Sequence, residues 1–109
     1  MSRLSRVLRD SADNGLMFWC PGCDGAHAIQ YGAGAGPRWG WNGNAESPTF
    51  TPSILVRYPA NPEAIEKFKE WRKERVCHSF VTDGRIQFLG DCTHALAGQT
   101  VDLPGWEDE

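Results

Sequence analysis

The sequence predicts a small β-rich α+β domain: antiparallel hairpins stapled by zinc, with one main helix at about 61–75. Three observations predict it. Four cysteines fall as a close pair, Cys20 and Cys23, and two distant singles, Cys77 and Cys92. Twelve Gly and seven Pro in 109 residues cut the chain into short segments, which suits short strands joined by turns. One stretch, from Asn61, combines helix-start residues with apolar residues at helical spacing.

A chain of this length reads as a single domain, 1–109, with a thin core that gains from a staple. The formal net charge is −3, with 40% apolar and 23% charged residues. That balance is ordinary for a globular protein and argues against a nucleic-acid partner. Arg3, Arg6 and Arg9 make a small basic group, and Glu107-Asp108-Glu109 an acidic tail; both read as solvated termini. No apolar run approaches the roughly 20 residues that cross a membrane, and the N-terminus has no apolar signal core. The expectation is a cytoplasmic protein with reduced cysteines, which favours metal over disulfides.

Taken in order, Leu4, Val7 and Leu8 fit either one helical turn or a strand. Asp13-Asn14-Gly15 is a turn signal. Leu16–Trp19 reads as a strand and Ala26–Tyr31 as its partner, with the knuckle Cys20-Pro21-Gly22-Cys23 at the hairpin tip. Residues 32–37 are a Gly-rich loop, and no Gly-Lys-Ser/Thr follows to make it a phosphate loop. Residues 38–41 form a short strand closed by Asn42-Gly43. Residues 47–52 are held extended by prolines, and Ser53–Tyr58 continues as a strand.

Asn61-Pro62-Glu63 supplies an N-cap, a first-turn proline and an acidic first turn. Ala64, Ile65, Phe68 and Trp71 then form one apolar stripe, expected to pack on the sheet. Residues 77–82 and 85–89 flank Asp83-Gly84, a two-residue hairpin turn. That register sets Val81 opposite Ile86 and Ser79 opposite Phe88. Continued, it puts Cys77 opposite Gly90, with Cys92 next on the same face. Neighbouring side chains alternate faces, so His78 falls on the other face, near Leu89 and Asp91. A bulge beside Gly90 would change the facing of everything beyond it. Thr93–Leu103 reads as a turn or helical piece followed by a strand.

Cys-x-x-Cys plus two single cysteines suits a closed tetrahedral zinc site with ligands Cys20, Cys23, Cys77 and Cys92. A histidine replacing one cysteine is the alternative. His94 adjoins Cys92, His78 adjoins Cys77 and His27 follows Cys23 by four residues; each also reads as a residue hydrogen-bonded behind the ligands. A redox dithiol would sit at a helix N-terminus, and none follows Cys23. The His-x-Glu and His-Glu-x-x-His patterns of zinc enzymes are absent. A cysteine nucleophile is conceivable, for instance Cys77 or Cys92, with His78 or His94 as base and Asp91 orienting it. Those cysteines serve better as ligands, so no catalytic residue is assigned. Trp39, Trp41, Asn42 and Phe50 form an aromatic stretch that reads as a partner surface or as core.

Residues 18–23 (Phe-Trp-Cys-Pro-Gly-Cys), 41–43 (Trp-Asn-Gly), 48–53 (Pro-Thr-Phe-Thr-Pro-Ser), 77–80 (Cys-His-Ser-Phe) and 91–104 (Asp-Cys-Thr-His through Leu-Pro) resemble a family of small proteins of unknown function. That family is found widely in tailed bacteriophages and prophages. The resemblance spans about 16–104 and fits the helix region least, as an insertion. It implies a metal-binding core and residence in the cytoplasm of a bacterial host, and it implies no activity. The resulting expectation is a phage accessory protein that acts by binding a host or phage protein. The alternative is a small metal-dependent, hydrolase-like enzyme using a zinc-bound water or a Cys/His pair.

Overall fold

Alternation along each strand decides which residues are buried, and the turns decide which strands meet. Asp13 and Asn14 take positive φ, a conformation these short polar residues tolerate, and turn the chain between its second and third strands. Asp83 and Gly84 do the same further on, giving the two-residue hairpin turn expected of Asp-Gly. The computed structural model describes residues 2–106 as two antiparallel sheets. The first has β1 (Ser2–Arg3), β2 (Leu8–Ser11), β3 (Gly15–Cys20) and β4 (Gly25–Gln30) in sequential order. The second has β5 (Gly40–Trp41), β6 (Phe50–Tyr58), β7 (Arg75–Thr82), β8 (Arg85–Phe88) and β9 (Thr100–Asp102), also sequential.

The inward faces of both sheets supply one core. Leu8, Leu16, Phe18 and Ile29 from the first sheet meet Phe50, Ile54, Val81, Ile86 and Phe88 from the second. Phe18 and Phe50 stack across it with ring centroids 6.1 Å apart. Ser79 pairs with Phe88 and Val81 with Ile86, the register that the Asp-Gly turn dictates. Beyond Phe88 the ladder stops. Leu89 donates its N–H to His78 O, Cys92 N–H turns back to Leu89 O, and the chain leaves the hairpin.

The helix expected at 61–75 is not formed. Glu66–Arg72 is a short 3₁₀ segment, broken at Phe68 by non-helical angles, and it buries no residue. Ile65 is 64% exposed and Trp71 39% exposed. The apolar stripe has no sheet face to cover, because the two sheets bury each other's inner faces, and without tertiary burial a short helix gains little. Phe68 and Trp71 stack on one another instead, at 4.5 Å, and Arg75 lies over both Trp71 and Tyr58.

The basic N-terminal group is partly structural. Arg9 is buried, donates to Ser5 O and Leu8 O, and lies over the Trp106 ring. The acidic tail at 107–109 lies outside the described residues. The aromatic stretch belongs to the core: Phe50 is buried, and Trp39 and Trp41 pack against it. Asn42 is exposed, and its side chain ties the 42–49 loop together by accepting from Asn44 and Thr49 N–H. Among the described residues no helix is long and apolar enough to cross a membrane.

Candidate active site and metal centre

Cys20 ends β3 and Cys23 closes the turn into β4, so the knuckle points two sulfurs at the second sheet. Cys77 comes to meet them from the inward face of β7. The fourth residue is His94. Ligand atoms of Cys20, Cys23, Cys77 and His94 all lie within 4.8 Å of one another, close enough to hold a metal ion. Ligand chemistry tests the fit. With metal–sulfur bonds near 2.3 Å and metal–nitrogen bonds near 2.0–2.1 Å, a tetrahedral ion holds two thiolates about 3.8 Å apart, and a thiolate and an imidazole nitrogen about 3.6 Å apart. Cys20 and Cys77 sulfurs are 3.8 Å apart, and His94 Nε2 is 3.6 Å from Cys77 Sγ. All four cysteines of the chain are free.

Cys92 lies elsewhere. Its sulfur accepts His78 N–H at 3.2 Å and donates to His78 O at 3.1 Å. A side chain thus completes the edge of β7 where β8 has ended. Thr93 does the same one step along, bonding Val76 through both its N–H and its hydroxyl. The turn at Gly90-Asp91 displaces the register that would have set Cys92 beside Cys77, and it delivers His94 instead. Phe88 meets the His94 ring edge-on at 4.5 Å. Gly22 passes beneath the same ring, where a Cβ would overlap it.

His27 stands behind the cluster. Its ring is buried, and Nδ1 lies 3.4 Å from Tyr58 Oη. Burial lowers the basicity of the ring; hydrogen bonding with and charge on Cys20 and Cys23 more than reverse this, raising its pKa to about 9. Hydrogen bonds from Cys20 and Cys77 hold the Cys23 thiol far below its ordinary range. Cys77 is pushed far above it by its bonds to Cys20 and Cys23 and by burial.

The outward face of β7 carries a second constellation. His78 Nε2 lies 3.0 Å from Ser53 Oγ, and His78 Nδ1 lies 3.2 Å from Asp91 Oδ2. The local irregularity of β6 brings Ser53 there. Phe50 pairs with Val81 but Ile54 with Ser79, so β6 holds two more residues than β7 across this interval. Pro52 has no N–H to give a ladder. Bulges of this kind re-aim a side chain, and Ser53 reaches diagonally to His78. The turn that removes Cys92 from the metal site brings Asp91 to the other nitrogen of the same ring. Ser53 was not singled out in the sequence. No Gly-x-Ser-x-Gly or similar signature surrounds it, and its role depends on the bulge.

A hydroxyl, an imidazole and a carboxylate in this order form the constellation of a serine hydrolase. A family model described as bacterial ubiquitination-like system serine protease (BubE) matches residues 2–89, which includes Ser53 and His78 and ends just before Asp91. The chain belongs to the BubE family. No curated protein and no solved structure matches it. Membership of a protease family overturns the expectation of a phage accessory protein acting by binding, and with it the alternative of a hydrolase using zinc-bound water or a cysteine nucleophile.

Proposed function

We propose that this chain is a serine protease whose nucleophile is Ser53, whose general base is His78 and whose orienting carboxylate is Asp91. The observation that carries it is the paired contact of His78, 3.0 Å to Ser53 Oγ and 3.2 Å to Asp91 Oδ2. Family membership supports the same reading. Asp91 accepts a hydrogen bond from His78 Nδ1–H, which leaves Nε2 free to accept from the serine hydroxyl. His78 takes that proton as Ser53 Oγ attacks the scissile carbonyl carbon. The tetrahedral intermediate collapses to an acyl-serine, and His78 returns the proton to the departing amine. Water then repeats the sequence, and the acid product leaves with Ser53 restored.

The donor set Cys20, Cys23, Cys77 and His94 suits zinc, with four protein ligands and no open position, the pattern of a structural site. Zinc there cross-links the two sheets. Its place is to hold β7, and therefore His78, in position.

A fluorophosphonate probe tests the reading. The purified chain is expected to be labelled on Ser53, and Ser53→Ala and His78→Ala to abolish labelling. A folded protein that is not labelled, or is labelled at another serine, would sink it.

A further inference from the structure

β6 is nine residues long, yet its outer neighbour β5 pairs only with Phe50 and Thr51. Among the described residues no strand covers the same edge further along. The hydrogen-bond pattern of β7 shows which groups that edge presents. His78 spends its N–H on Cys92 Sγ and its C=O on Leu89 N–H. Val76 spends both on Thr93. Both residues therefore turn their backbone away from β6. Their β6 partners are Leu55 and Arg57. In an antiparallel ladder these are the non-hydrogen-bonded pairs, so Leu55 and Arg57 direct their own N–H and C=O outward. Ser53 C=O faces the same way and is taken by the Trp39 indole N–H at 3.2 Å. Trp39 thus closes the edge at Ser53, and pairing can begin at Leu55.

The side chains agree with the backbone. Ser53, Leu55 and Arg57 share the outward face with His78. Leu55 is 47% exposed, directly opposite His78, and Phe80 on the same face is 40% exposed. His78 reaches Ser53 from the β7 side and Trp39 caps the Ser53 carbonyl at the edge, so a paired substrate would meet the hydroxyl on the outward face. Leu55 lies about 7 Å from Ser53 along the strand, the rise of two residues.

We propose that the Leu55–Arg57 edge of β6 docks the substrate as an added strand: an extended polypeptide segment with an apolar side chain against Leu55. This rests on the serine protease reading and names the substrate form that it takes. Edge addition supplies affinity through main-chain bonds and specificity through alternate side chains. A peptide paired at Leu55 and Arg57 runs past Ser53 one to two residues away, where its next carbonyl meets the nucleophile.

An N-methyl scan tests the proposal. The full chain is incubated with a decapeptide library, and cleaved members are identified by mass spectrometry. The best is resynthesised with a single N-methyl amide at each position in turn. Alternate positions on one side of the scissile bond are expected to lose tenfold or more in kcat/KM, and the positions between them less than twofold. Leu55→Arg is expected to move the preference at the facing position from apolar to acidic. A flat scan, loss confined to the two residues at the scissile bond, or an unchanged preference in Leu55→Arg overturns edge docking. So does failure to cleave any library member when Ser53 reacts with fluorophosphonate. If Ser53 does not react, the protease reading fails first, and this inference falls with it.

Discussion

Cys77 and His78 are consecutive residues of β7 that face opposite sides of one sheet and serve two different sites. Cys77 stands 3.8 Å from Cys20 Sγ in the metal cluster, and His78 stands 3.0 Å from Ser53 Oγ. The peptide bond between them joins the cluster to the Ser53, His78 and Asp91 constellation. Whatever positions Cys77 also sets the height and angle at which the imidazole meets the serine.

Metal removal is therefore expected to abolish Ser53 labelling without any role for the metal in the chemistry. Structural zinc contributes on the order of 10 kcal/mol of apparent free energy in small domains, comparable to the whole stability of a chain this size. Dialysis against a chelator should unfold the protein and remove labelling together, as read by circular dichroism and probe incorporation. Elemental analysis of untagged protein should give about one zinc per chain. A metal-free protein that remains folded and labelled contradicts both expectations.

The ligand set separates two neighbouring residues. His94→Ala is expected to lose zinc, whereas Cys92→Ser is expected to keep it, because Cys92 Sγ bonds His78 backbone and a serine hydroxyl can replace those bonds. The cost of Cys92→Ser should be about 1–3 kcal/mol, the scale of a buried hydrogen-bonded group, seen as a lower urea midpoint. Zinc content of the two purified variants decides the matter; loss in both would place Cys92 in the site.

Gly22→Ala is expected to weaken metal binding although position 22 is not a ligand. A Cβ there overlaps the His94 ring, so the imidazole must leave its present position. A loss of about 10–100-fold in zinc affinity is expected, the range for residues that orient a ligand. Competition with a chromophoric chelator measures it, and an affinity equal to the parent's would show that His94 does not need its present position.

Asp91→Asn should leave zinc content and fold intact and slow acylation by about 10²–10⁴-fold, since the amide presents the wrong groups to His78 Nδ1. His78→Ala should also keep its metal, with labelling abolished. A labelling rate in Asp91→Asn within threefold of the parent's removes the carboxylate from the mechanism.

Local chemistry made part of this protein legible in its sequence. Asp-Gly at 83–84 dictated a two-residue turn, and with it the pairing of Val81 with Ile86 and the division of β7 into two faces. The Cys-x-x-Cys knuckle, its hairpin and the small β-rich architecture followed from equally local rules. The helix expected at 61–75 had start signals at Asn61-Pro62-Glu63 and failed for a non-local reason: its stripe needed a sheet face, and both inner faces were already covered. The fourth residue of the metal cluster and the proposed nucleophile were also decided tertiarily. Where β8 stops pairing, the turn at Gly90-Asp91 exchanges Cys92 for His94 on one face and brings Asp91 to His78 on the other. Two additional residues in β6 aim Ser53 at the same imidazole. Turns, bulges and strand ends are set by the competition of many contacts across the two sheets. Only the assembled core selects where a ladder breaks, so only the folded structure joins Ser53, His78 and Asp91.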